Sequence, residues 1–91
     1  MTDFEWDPEK AARNLEKHGV SFEEASSAFM DSLSLTIDDP DHSADEFRLL
    51  LTGLTSEGRL VVVSFVDRDE TLRIISARLA NRNERRTYEE G

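Results

Sequence analysis

The spacing of apolar residues changes once along this chain, and that change restricts the possible folds more than any other feature. Before Asp31, the residues Phe22, Ala25 and Phe29 recur at the three- and four-residue intervals of a helix face. After it, apolar and polar residues alternate over 33–38, as in a half-buried strand. Helical patterns followed by strand patterns predict an α+β domain.

Capping signals mark where the helices begin and end. Asp7 is an N-cap acid followed by proline at N1, Gly19 is a C′ glycine, and Ser21 with Glu24 forms a capping-box pattern. These signals predict helices over about 8–18 and 22–30. Asn81 with Glu84 is a second capping pair and predicts a last helix over about 82–90.

The strands follow the two N-terminal helices. They are predicted at about 33–38, 47–54, 59–66 and 72–78, and residues 4–6 form either a first strand or an N-terminal arm. The run 60–63 is apolar on both faces, which predicts a central strand covered on both sides or a one-sided sheet with an oligomer behind it. The prediction is a twisted three- to four-stranded antiparallel sheet packed with two N-terminal helices and one C-terminal helix.

Composition limits the partners and the compartment. The 91 residues suit a single domain, and the formal net charge of −9 argues against nonspecific nucleic-acid binding by the bulk surface. There is no cysteine, no visible secretory signal and no apolar run long enough to cross a bilayer. We therefore expect a cytoplasmic protein without a membrane partner.

Basic residues are concentrated near the C-terminus. Residues 72–88 hold five arginines and one acid, whereas residues 1–71 carry six basic and seventeen acidic side chains. Strand alternation points Arg73 away from Arg78 unless a bulge intervenes. The coherent cluster is then Arg78, Arg82, Arg85 and Arg86. It is a phosphate site, a dock for an acidic partner, or a solvated and salt-bridged face.

The last predicted helix has little to hold it. Its single large apolar residue is Tyr88, and a nine-residue helix without an apolar stripe is marginal by itself. We expect this helix to be held by Tyr88, by arginine stems or by a partner, and to be mobile or swapped in the free protein.

Other candidate residues lie near the N-terminus. Lys10, Asn14, Lys17 and His18 share a face of the first helix. Lys17 and His18 occupy its last turn, where cations favour the helix dipole, so a purely structural role is sufficient for them. The functional alternative is proton transfer by His18 and a phosphate contact by Lys17. Trp6 is either a core anchor or a base-stacking platform.

An acidic loop could suggest a hard-cation site. Its candidate ligands are Asp39, Asp41, His42, Asp45 and Glu46. Their spacing matches no EF-hand pattern, and the composition is that of an acidic loop, so no metal and no cofactor is predicted.

Several stretches together resemble one known family. They are FEWDPEKAARNLEKHGVSFEEA (4–25), DHSADEFR (41–48), GRLVVVSFVDR (58–68) and RIISARLANRNERRTYEE (73–90). The most specific are the W-D-x-x-K…N-x-x-K-H-G run and the I-S-A-R…R-x-E-R run. With both at this spacing in so short a chain, the sequence strongly resembles the BrnT toxins over nearly its whole length, 1–91 as one domain.

The resemblance implies a function as well as a fold. It implies the toxin of a type II toxin–antitoxin system, a RelE-like ribonuclease that cleaves RNA without a metal and arrests growth. The implied partner is a BrnA-like ribbon-helix-helix antitoxin, through which the complex binds promoter DNA. Matched to the family motifs, the implied catalytic residues are Lys17, His18, Arg78, Arg82 and Arg85. Lys10, Trp6 and Arg86 are expected to contact RNA. The alternative function is a binding module that grips only its antitoxin.

Overall fold

The computed structural model describes residues 3–40 and 47–91. Within them lie five strands and three α-helices, which confirms the α+β class. In chain order they are β1 (Asp3–Glu5), α1 (Pro8–His18), α2 (Phe22–Ser27) with the 3₁₀ turn Ala28–Met30, β2 (Leu35–Asp38), β3 (Leu49–Leu54), β4 (Leu60–Arg68), β5 (Thr71–Leu79) and α3 (Arg82–Glu90).

The strands form one mixed sheet in the order β1-β5-β4-β3-β2. The pairs from β2 to β5 are antiparallel, but β1 pairs with β5 in parallel, with Asp3 opposite Thr71 and Glu5 opposite Arg73. Four antiparallel strands and a first strand near residues 4–6 are present as expected, but the sheet has five strands and is mixed, so the expectation of a three- to four-stranded antiparallel sheet is wrong in this respect. The reason is that α1 and α2 separate β1 from the other strands, which permits the parallel crossover that a tight hairpin could not make.

One sheet face, here called the near face, packs against α1 and α2. Val61, Val63 and Phe65 of β4 project to it and are buried among residues of the helical segment, such as Phe22. Phe29 packs edge-on against Phe65 with ring centroids 4.9 Å apart. This side of the sheet holds the main hydrophobic core.

The opposite face, here called the far face, is crossed by α3. A cavity of about 230 Å³ lies between them, lined by Leu35, Ile37, Leu50, Thr52, Val62, Asn83, Glu84 and Thr87. Val62 is nevertheless buried, as are its neighbours in 60–63. The double-sided apolar run is therefore a central strand covered on both sides by its own chain.

The capping signals are confirmed with one exception. Asp7 accepts hydrogen bonds at the start of α1, and Gly19 ends that helix with φ +70°. Ser21 caps α2 by accepting from the Glu24 amide at 3.0 Å. The Glu24 carboxylate does not return to Ser21, however, but accepts from Arg59 and from the Thr55 hydroxyl. The Arg59 guanidinium lowers the pKa of Glu24 below its ordinary value despite desolvation.

Helix α3 docks on the sheet of its own chain. The Tyr88 hydroxyl donates to Asp31 at 2.5 Å, and Arg78 of β5 is paired with Glu84. The predicted Asn81/Glu84 capping box is present. No residue of α3 is buried, so these polar contacts supply most of its attachment. Attachment through Tyr88 is one of the alternatives expected for this helix, and a mobile or swapped arrangement in the free protein stays a prediction.

Candidate functional site

A cleft lined by cations separates α1 from β5. Its lining residues are Lys10, Arg13, Asn14, Lys17, His18, Ile75 and Ser76. Lys10, Arg13 and Lys17 are exposed, whereas His18 is half-buried. The structure thus brings Lys10, Lys17 and His18 together as their spacing predicted. It also adds Arg13, which lies three residues after Lys10 and four before Lys17, so the same helical spacing could have identified it.

Asn14 fixes the position of this cleft. Beyond the short β1 pairing, the outer edge of β5 is open, and the Asn14 side chain occupies it. Its Nδ2 donates to the carbonyls of Val20 at 3.0 Å and Ala77 at 2.8 Å, and its Oδ1 accepts from the Ala77 amide at 3.2 Å. Asn14 is buried. Although it follows the basic face of α1 in sequence, its role is to join that helix to the sheet.

A β-bulge in β5 changes which arginines share a face. The register between β4 and β5 shifts at Ser64/Phe65, leaving Ile75 without a partner. Arg73 is then opposite Val66 and Arg78 opposite Val62. Because these two valines are four residues apart on one strand, both arginines project from the far face. The bulge that the alternation argument allowed for is therefore present, and the exclusion of Arg73 from the arginine cluster is wrong for this reason.

Further arginines extend the basic character of the far face. Arg68 lies two residues beyond Val66 and pairs with Glu5 at 3.4 Å, while Arg73 approaches the same carboxylate at 3.9 Å. Continuing the alternation of β3 places Arg48 on this face too. Its Nε is buried without a hydrogen-bond partner among the described residues. The far face therefore carries a basic strip, formed by Arg48, Arg68, Arg73 and Arg78, beside the apolar residues beneath α3, on a protein whose net charge is −9.

Arg78 is engaged by an internal carboxylate. Its two terminal nitrogens donate to the two oxygens of Glu84 at 2.7 and 2.8 Å. The hydrogen bonds from Arg78 lower the pKa of Glu84, and those to Glu84 raise the pKa of Arg78. Both side chains remain partly exposed, with 42% of Arg78 and 25% of Glu84 accessible. A phosphate oxygen pair has the same complementarity to this fork as the carboxylate does.

The remaining arginines of the predicted cluster lie on α3. Arg82, Arg85 and Arg86 are exposed. They lie one or two residues from Glu84 along α3, so they point to other sides of the helix than the carboxylate that holds Arg78. The Lys17/His18 group lies in the cleft at the edge of β5, on the other side of that strand. Ser76 joins the two regions, because it lines the cleft and pairs with Ser64 on the far face.

Comparison with known proteins assigns this architecture to a family. A family model described as "Ribonuclease toxin, BrnT, of type II toxin-antitoxin system" matches residues 6–84. The chain belongs to the BrnT toxin family. Its fold is similar to the crystal structure of the Brucella abortus ribonuclease toxin, BrnT, with a TM-score of 0.60 and 27% sequence identity over 90% of this chain and 100% of that one. A search of curated proteins finds no match.

Family membership confirms the resemblance inferred from the motifs. BrnT toxins are described as ribonuclease toxins of type II systems, so an antitoxin partner is implied. Within the described ranges, no helix of this BrnT-family chain is long and apolar enough to cross a membrane.

Trp6 of this BrnT-family chain packs into the protein body. Its ring meets Phe22 edge-on with centroids 5.8 Å apart, and it contacts the core cluster while remaining half-buried. This packing accounts for the residue without a ligand, as the core-anchor alternative expects. A stacking contact between Trp6 and a base stays a prediction.

The acidic segment of this BrnT-family chain is described only in part. Of its candidate cation ligands, Asp41, His42, Asp45 and Glu46 lie outside the described residues, and Asp39 lies within them. Across 3–40 and 47–91, no group of three or more potential ligands is placed to hold a metal ion.

Proposed function

We propose that this chain is an endoribonuclease toxin whose RNA site is the basic strip of the far face together with the cleft at the β5 edge. The observation that carries the proposal is the convergence of Arg73 and Arg78 on one face through the bulge, in a chain of net charge −9 and a family described as ribonuclease toxins. Guanidinium groups that share a face can contact neighbouring phosphates of one strand.

The proposed reaction needs no metal. The RNA 2′-hydroxyl attacks the adjacent phosphorus, the bond to the 5′-oxygen breaks, and the products carry a cyclic phosphate and a free 5′-hydroxyl. The protein must hold the phosphate, neutralise charge in the transition state and move two protons, one from the nucleophile and one to the leaving oxygen. A RelE-like site would meet these needs with arginines and a proton-transfer group alone.

Roles follow from the placement of each side chain. Arg78 and Arg73 would bind the scissile phosphate and its neighbour, with Arg82 and Arg85 assisting from α3. His18 would transfer a proton, and Lys17 lies beside it in the cleft. Peripheral contacts to the RNA backbone and bases would come from Lys10, Arg13, Arg86 and Trp6. This assignment keeps every residue expected from the family motifs and adds Arg73 and Arg13.

The antitoxin is proposed to cover the same surface. A BrnA-like ribbon-helix-helix protein would place carboxylates on the exposed arginines of α3, and it would carry any promoter DNA contact of the complex. Such a complex would be expected to associate more slowly at high salt, because screening weakens the long-range attraction.

Cleavage of RNA by the purified protein tests the activity. The protein is incubated with RNA in EDTA and without antitoxin, and cleavage that resists EDTA is the expected result. Arg73→Ala and Arg78→Ala should each lower the rate by on the order of 10²-fold, since each removes a contact to the developing charge. Arg73→Lys and Arg78→Lys, which keep the charge but lose the planar fork, should fall between.

Thermal unfolding of every variant shows whether a lost rate reflects a lost fold. If folded wild-type protein cleaves no RNA yet binds its antitoxin tightly, the chain is a binding module and the ribonuclease assignment is wrong.

A further inference from the structure

The contact between Arg78 and Glu84 has the geometry of a bound anion. Two parallel hydrogen bonds of 2.7 and 2.8 Å join the guanidinium fork to the two carboxylate oxygens. Phosphate presents the same pair of acceptors to arginine. While Glu84 is in place, it holds the end-on fork of Arg78, and Nη1 also donates to the Leu79 carbonyl at 3.3 Å, so the carboxylate and a phosphodiester compete for that fork.

The helix that carries Glu84 is weakly attached. None of its residues is buried, and the cavity of about 230 Å³ beneath it shows that its polar side chains do not fill the space above the apolar far face. Unfilled space gives no packing contacts. The attachment therefore depends on the Arg78–Glu84 pair near one end and the Tyr88–Asp31 hydrogen bond near the other.

We propose that the Glu84 carboxylate occupies the phosphodiester position of Arg78, so that α3 is an internal competitor of RNA. In the closed state both terminal nitrogens of Arg78 donate to Glu84 although 42% of that side chain is exposed, whereas Arg73 on the same face approaches Glu5 at only 3.9 Å and is the first contact for an incoming strand. Full binding requires Glu84 to leave Arg78 and α3 to lift. This inference rests on the proposed function, because it concerns the same phosphate site.

The consequence for affinity follows from populations. When only a fraction of molecules has Arg78 available, the apparent dissociation constant equals the intrinsic one divided by that fraction. A change that removes the carboxylate charge without disturbing the fold raises this fraction and tightens RNA binding. A residue that merely supports the fold would have the opposite effect when altered.

Glu84→Gln is the appropriate variant. The glutamine amide oxygen can still accept from the Asn81 backbone amide, which the Glu84 carboxylate does at 2.8 Å, so the capping box is kept. The change removes the charge and one of the two acceptors facing Arg78. Glu89→Gln makes the same charge change on an exposed position of α3 and is the matched control.

Binding is measured with a 2′-O-methyl RNA oligonucleotide, which lacks the attacking hydroxyl and cannot be cleaved. Glu84→Gln should bind about three- to tenfold more tightly than wild type, since a partly exposed ion pair is a modest competitor. Glu89→Gln should stay within about twofold of wild type, because it alters only long-range charge. Tyr88→Phe, which loosens the other end of α3, should also tighten binding.

Hydrogen–deuterium exchange supplies an independent readout. Adding the oligonucleotide to wild-type protein should speed exchange in residues 82–90 if α3 lifts. The proposal is overturned if Glu84→Gln binds no more tightly than Glu89→Gln, if RNA protects α3 instead, or if none of these proteins binds the oligonucleotide.

Cleavage is scored separately on unmodified RNA. If Glu84→Gln binds more tightly but no variant cleaves RNA, the ribonuclease assignment is wrong and the competition between Glu84 and RNA stands. If wild type cleaves RNA but Glu84→Gln binds no more tightly, the ribonuclease assignment stands and the competition is ruled out.

Discussion

Asn14 joins the helix of the cationic cleft to the strand that carries the arginines. Three hydrogen bonds connect its side chain to the backbone of Val20 and Ala77 in a buried setting. As a residue between two basic positions of α1, it looks like a member of the binding face. Only the tertiary contact, 63 residues away in sequence, shows that it is structural.

Asn14→Ala should destabilise the protein substantially. It leaves two carbonyls and one amide buried without partners, and each such group costs about 1–3 kcal/mol in full. Allowing for relaxation and entry of water, we expect a loss of about 2–4 kcal/mol in the free energy of unfolding. Urea denaturation measures it, and Arg13→Ala, at an exposed neighbouring position, should change stability by less than about 0.5 kcal/mol. A loss below about 1 kcal/mol for Asn14→Ala would show that water replaces the amide freely.

Among single elements, β5 shows most clearly where reading the sequence succeeds and where it stops. Its bounds and apolar pattern were predictable from residues 72–78 to within one residue at either end. The bulge at Ile75 was not, because it depends on how β4 aligns across Ser64, and one inserted residue exchanges the faces of everything on one side of it. The sequence could thus predict that arginines cluster near the C-terminus, but not which of them share a face of the sheet.

The same limit applies to the capping residues. Ser21 and Glu24 fit the capping-box pattern, yet a cation from the distant β3–β4 hairpin, Arg59, outcompetes the local amide for the carboxylate. Asn81 and Glu84 also fit it, and there the box forms although Arg78 binds the same carboxylate. Local sequence determines whether an acid is placed to cap a helix, and tertiary contacts determine whether it binds the N-cap amide.

Helix α3 should detach in acid before the rest of the protein unfolds. The hydrogen bonds from Arg78 lower the pKa of Glu84, and those from Tyr88 lower the pKa of Asp31. A carboxylate whose pKa is lowered in the folded protein stabilises the docked helix at pH values above its ordinary pKa. This stabilisation is lost as the pH falls through the lowered pKa. Since α3 buries no residue, protonating both groups leaves it little attachment.

Backbone NMR shifts of residues 82–90, followed from about pH 6 down to about pH 1.5, measure this release. Asp31→Asn should weaken docking already at neutral pH, and so flatten the transition. If the α3 signals change only together with those of the core around Phe22, the helix is an integral part of the folding unit and the expectation is wrong.

At the scale of the whole molecule, charge is divided between surfaces. The chain has 20 acidic and 11 basic side chains, yet the far face and the cleft beside it carry most of the cations. A net −9 repels RNA at long range, so binding must come from close phosphate contacts on one side. The parallel pairing of β1 contributes to this division, because it brings Glu5 to the end of the strip beside Arg68 and Arg73.

The salt dependence of RNA affinity should therefore report how many contacts the protein makes with RNA phosphates. For single strands the slope of log affinity against log salt is about −0.7 per phosphate neutralised, so four contacts give about −3. Arg73→Ala should reduce the magnitude of the slope by about 0.7, because it removes one contact. Glu23→Gln, on the exposed side of α2, changes the net charge by one unit in the opposite direction at a site away from the RNA and should leave the slope unchanged. Titrations of the 2′-O-methyl oligonucleotide at several salt concentrations measure both slopes. An unchanged slope for Arg73→Ala would place the RNA away from the far face, and the cleft beside α1 would then have to supply the phosphate contacts.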